Sequence, residues 1–171
     1  MKSAFLALLV SFTTVLVKAQ ERDTTWRPPP SRNWVRDEVT LLAGYAQGYY
    51  GAVELGLGRS IYGMVHHPIG INYHMAVEVR PDRSTLIGWK LGGYITFGAA
   101  MGMQVIRYQE GTTGCTVLRP EFGCGIWKAK VAYAYNINLS PHRIRGISRH
   151  MVALSYAFRL KRLPTPVRTV Q

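Results

Sequence analysis

A chain of 171 residues is enough for one domain. Its 47% hydrophobic content and mean hydropathy of -0.01 exclude a bundle of membrane helices. They fit a soluble protein, or a membrane barrel in which only alternate strand residues face lipid. The formal charge of +12 is the balance of a nucleic-acid binder, a reading that the start of the chain argues against.

Residues 1–19 have the architecture of a secretory signal peptide. Lys2 gives a positive start, residues 4–17 form an apolar core, and Ala19 supplies a small residue before Gln20. No later run reaches the ~20 apolar residues that a spanning helix needs, so any membrane insertion is expected through strands. Losing Lys2 and Lys18 takes the charge of the exported chain from +12 to +10. For an exported chain the expected partner is an anionic membrane surface or an acidic protein, not nucleic acid.

Residues 20–38 are rich in Pro and Arg, without periodicity, and read as an extended periplasmic lead-in with a stiff segment at Pro28, Pro29 and Pro30. From residue 39 the pattern changes to strict alternation, the signature of strands with opposite faces in different solvents. Strands are predicted over residues 39–47, 52–60, 69–80, 85–96 and 98–108. Residues 61–68, with His66 and His67, are a connection, and residues 81–84 a turn. The clearest alternation lies in residues 116–139, two strands joined by a tight turn at Ile126 and Trp127. A loop over residues 140–148 leads to a last strand over residues 149–160, and residues 161–171 form a basic tail.

One face of every strand is large and apolar, as in Leu55, Tyr73, Met75, Trp89, Leu91, Tyr133, Leu154 and Tyr156. The other carries glycines, alanines and charges: Glu54, His74, Glu78, Lys90, Arg119, Glu121, Lys128 and Lys130. Eight strands of nine to twelve residues match the ~9–11 that cross a bilayer at a tilt, and short connections suit an up-and-down topology. The fold class expected is therefore all-β, an eight-stranded antiparallel up-and-down transmembrane β-barrel over residues 39–160. Such a barrel has an interior that side chains just fill, so the eight polar residues are expected to pair there as a lumen charge network. Alternation alone does not say which face is outside. A soluble lipocalin-like binding barrel would invert the pattern, and the signal peptide, the inward glycines and the aromatic last strand favour the membrane.

Residues 118–125 (LRPEFGCG), residues 131–137 (VAYAYNI) and the end at residues 148–156 (SRHMVALSY) resemble the small outer-membrane β-barrel proteins of Bacteroidota. The resemblance covers residues 39–160 and implies a fold and a place in the outer membrane. It assigns no activity and no cofactor. The role it leaves is structural or adhesive, or that of an accessory subunit of a larger outer-membrane complex.

Chemistry-bearing motifs are few: the chain has no CxxC, HExxH, Walker loop or GxSxG, and no metal or catalytic residues are assigned. Lipid A deacylases and acyltransferases of this size place a His beside a Ser or an acid near the rim. Ser140 with His142, and His150 with Ser155, are the pairs to weigh, and neither matches the deacylase pattern. The cluster His142, Arg143, Arg145 and Arg149 contains no acid and is expected on an outward loop, where Arg forks suit lipopolysaccharide phosphate. Cys115 and Cys124 enter an oxidising compartment, but on one straight strand they would stand roughly 30 Å apart, beyond disulfide reach.

Overall fold

The computed structural model describes residues 34–164, apart from 82–85, 112, 142–143 and 145. The predicted signal peptide (1–19), most of the lead-in and the end of the tail lie outside the described residues. Eight strands follow in chain order: β1 (Trp34–Gln47), β2 (Gly51–Val65), β3 (His67–Arg80), β4 (Leu86–Glu110), β5 (Thr113–Ile126), β6 (Ala129–Tyr135), β7 (Ile137–Asn138) and β8 (His150–Arg162). Among the described residues there is no helix.

Strand β4 is 25 residues long because it crosses the barrel twice. Residues 86–96 pair with β3 and residues 98–110 with β5. Between them Gly98 has φ +92°, a left-handed conformation that favours glycine. The two arms lie side by side, since a Cβ on Gly92 would meet Gln104 Cγ at 2.7 Å and one on Gly102 would meet the Gly93 carbonyl at 2.9 Å. Conversely, β6 and β7 are one crossing interrupted at Asn136. Eight antiparallel crossings result, and the ring closes through β1 against β8, with a register shift at Val39/Thr40. The fold is thus the all-β, eight-stranded antiparallel up-and-down barrel expected from the alternation.

Several boundaries differ from the sequence reading, two of them by five residues. The first strand begins at Trp34, inside the predicted lead-in, and Trp34 to Glu38 pair with Met64 to Ser60. Residues 61–68 are not a connection: β2 and β3 run through them, and the chain reverses at His66 alone, with φ +64°. Both differences have one cause. A barrel wall continues hydrogen bonding past its apolar belt, where side chains no longer alternate in polarity.

The chain enters at Trp34 and leaves after Arg162 at the same end, here the terminal end. Connections there are one to two residues, at His66, at Phe97–Gly98 and at Trp127–Lys128, while residues 139–149 form the longest connection at the opposite, far end. Each mouth is closed by an infolded turn. At the terminal end the Trp127 carbonyl accepts hydrogen bonds from Asn72 Nδ2 (3.0 Å) and Thr96 Oγ1 (2.8 Å), and the Trp127, Trp34 and Tyr62 rings cluster with centroids 5.7–6.4 Å apart. At the far end Ile144 drops from the loop into an apolar cluster with Leu86, Ile106, Tyr108, Cys115 and Val117. Arg80 fixes that loop by donating to the Gly146 carbonyl at 2.6 Å.

Both cysteines are free, Cys115 buried and Cys124 exposed. Nine residues apart on β5, they face opposite sides of the wall.

Candidate functional site

The lumen collects the charged face of the strands. Register brings Glu54 of β2 directly opposite Glu78 of β3, an arrangement that is repulsive by itself. Lys90, on the first arm of β4, resolves it: its ammonium lies 2.8 Å from Glu54 Oε2 and 2.9 Å from Glu78 Oε2. Arg119 of β5 approaches Glu78 from the other side with a two-pronged contact, Nη1 to Oε2 at 2.6 Å and Nη2 to Oε1 at 3.1 Å. The Tyr108 hydroxyl donates to Glu78 Oε1 at 2.5 Å and accepts from Arg119 Nη2 at 2.6 Å. Arg119 Nε then donates to Asn136 Oδ1 at 2.7 Å, so all three nitrogens of a fully buried guanidinium donate.

A second pair, Lys130 with Glu121, lies beside it, with the Lys130 ammonium 4.3 Å from the centre of the Tyr94 ring. Three buried carboxylates (Glu54, Glu78, Glu121) thus meet three buried cations (Lys90, Arg119, Lys130). Pairing is what makes such burial tolerable, because an unpaired charge in this interior costs several kcal/mol. His74 completes the set, with Nε2 3.6 Å from Glu54 Oε1 and neither ring nitrogen in a hydrogen bond.

Lys128 stands apart at the terminal mouth. It bonds Glu38 Oε2 at 3.0 Å, and Glu38 also accepts from the Tyr62 hydroxyl at 2.9 Å, with Arg159 and Arg162 at 3.9 and 4.0 Å. All eight residues assigned to a lumen network therefore point inward, but seven form a central cluster and the eighth, Lys128, pairs separately at the rim with Glu38. Sequence reasoning missed Glu38, Tyr62 and Tyr108. Tyr108 was findable, since it continues the inward parity of Gln104 and Ile106.

The outward cluster is only partly described. His142, Arg143 and Arg145 lie outside the described residues; Arg149 is exposed, just ahead of β8. His150 is also exposed and packs against Tyr135 (5.1 Å between centroids) and Tyr133, whose hydroxyl is 2.5 Å from Nδ1. Ser155 faces the lumen, opposite to His150, so these two do not meet. Ser140 Oγ accepts from the Thr116 amide at 2.8 Å. Among the described residues no three His, Cys, Asp or Glu side chains converge on a point that could hold a metal.

Comparison with protein-family models, with curated proteins and with solved structures returns no match for this chain.

Proposed function

We propose that this protein is an exported outer-membrane β-barrel whose lumen is filled by its own side chains, with a structural or adhesive role or that of an accessory subunit of an outer-membrane complex. The observation that carries the reading is the exterior. Every strand turns large apolar residues outward, and Leu57, Met75, Trp89, Leu91, Phe122 and Leu154 are each more than half exposed. Soluble monomers rarely show contiguous apolar patches beyond a few hundred Å². A lipocalin-like carrier would place this face inside around its ligand, whereas here the inside holds ion pairs. The outward aromatics, Trp89, Tyr73, Tyr133 and Tyr156 among them, suit a wall in contact with lipid and its interfaces. The short connections on the side of both termini support a periplasmic terminal end and an external far end.

The packed lumen and the two infolded turns support a barrel that does not conduct. Reconstituted into planar bilayers, the protein is expected to give no stepwise ion current above the protein-free membrane. Stable unitary conductance would identify a pore and overturn the plugged-lumen role.

A further inference from the structure

The terminal mouth is unbalanced in charge, unlike the central lumen, where three acids meet three cations. Here four cations, Arg36, Lys128, Arg159 and Arg162, share the inward face with one buried acid, Glu38. Register across the closing seam gathers them: Arg162 stands opposite Glu38, and Arg159 opposite the buried Thr40. Arg36, two residues before Glu38 on β1, holds its guanidinium 4.9 Å from the centre of the Trp34 ring. Glu38 does not offset this group. Its two oxygens accept from Tyr62 and Lys128, while Arg159 and Arg162 come within 3.9 and 4.0 Å of it, beyond hydrogen-bond distance. Exposure rises across the cluster, from 14% for the Lys128 side chain to 31% for Arg159 and 51% for Arg162, so the two arginines meet water at the mouth. The neighbouring acid, Asp37, is held on the outer face by Arg59. Residues 1–33 and 163–171, which flank β1 and β8, add six lysines and arginines and only two acids. The flanks thus deepen the imbalance, and the compensating charge comes from another molecule.

We propose that the terminal mouth docks an acidic segment of a partner protein, whose Asp or Glu carboxylates meet Arg159 and Arg162 next to Arg36. The proposal rests on the membrane reading, which puts this end in the periplasm, and it gives the accessory-subunit role its contact. Guanidinium groups engage carboxylates through two parallel hydrogen bonds, which adds geometry to the charge attraction. Four cations against one acid leave three positive charges to be met, which suits several carboxylates in a row better than a single ion. A lipid headgroup suits these side chains less well, because they share the inward face and point towards the barrel axis. Lys161, opposite the outward Val39, is the cation turned to the surrounding bilayer. A rim of one sign also steers an oppositely charged segment towards the mouth, an effect that salt screens.

The test is fluorescence anisotropy of labelled hexaglutamate, with hexaserine as control, against the full chain folded in alkyl maltoside. Hexaglutamate is expected to bind roughly tenfold more tightly than hexaserine at low salt, and the difference to shrink as salt is raised. Arg159→Gln with Arg162→Gln is expected to weaken its binding roughly tenfold. Arg107→Gln with Arg149→Gln removes the same charge from exposed positions at the far end and is expected to leave binding unchanged. If the first pair does not fold, Arg162→Gln alone is expected to weaken binding roughly threefold. No preference for hexaglutamate overturns the proposal, and so does equal weakening by the two pairs, which would reduce the effect to net charge. Phosphatidylglycerol added to the micelles is expected not to displace the peptide; displacement would overturn the proposal in favour of a lipid headgroup. Gel mobility of the same samples separates the two readings: a chain that migrates as a heat-modifiable barrel yet shows no preference for hexaglutamate counts against the docking site alone.

Discussion

Lys90 bridges two carboxylates that the β2–β3 register forces together. Replacing it with Met leaves Glu54 and Glu78 facing each other in a dry interior. The expected loss is about 3–5 kcal/mol, the scale of breaking a buried pair by removing one partner. It would be read as a lowered urea midpoint for the barrel folded in detergent micelles. The double variant Glu54→Gln with Lys90→Met is expected to recover part of that loss, since only one carboxylate then remains to be paired by Arg119; strict additivity of the two changes would contradict the bridging role. These residues were legible in the sequence by parity alone, because a charge in phase with glycines and alanines on one strand face has to share their environment. Ile144 was not legible. A lone apolar residue in a loop has no period to reveal that it turns inward, and its burial depends on Leu86, Ile106 and Val117 from three crossings.

At the scale of strands, the alternation located all eight crossings but not their ends. Trp34, Arg36 and Glu38 alternate with Val35, Asp37 and Val39 across β1, yet charges fall on both faces and hide the period. The outward Asp37 is tolerated because the Arg59 guanidinium pairs with it from the neighbouring strand. Strand β4 shows the converse case, where two predicted strands form one continuous run through a turn at Gly98. A Cβ there would have open space around it, so φ +92° is the only obstacle to a side chain. Gly98→Ala is therefore expected to cost about 1–3 kcal/mol, the scale of backbone strain in a sparsely populated region, with the barrel still formed. Equilibrium unfolding in detergent checks it; a variant as stable as the parent would mean that the turn relaxes to another conformation.

For the molecule as a whole, the distribution of polarity is inverted relative to a soluble barrel, and one substitution distinguishes the two solvents. Leu91 is 65% exposed, outward and midway along its arm. In lipid, Leu91→Lys is expected to destabilise the barrel by about 2–4 kcal/mol, the penalty for a cation near the bilayer midplane. In water the same change would lie within about 0.5 kcal/mol of neutral, as for most exposed positions. Unfolding in lipid vesicles gives the value. The central claim, that the apolar wall faces lipid around a closed barrel, is tested most directly by fractionating cells that express the full chain and running the membrane fraction on gels with and without boiling. The account predicts that the protein sediments with the outer membrane, is released by detergent but not by salt or alkali, and migrates faster unboiled than boiled. A soluble product whose mobility does not change on heating would contradict it.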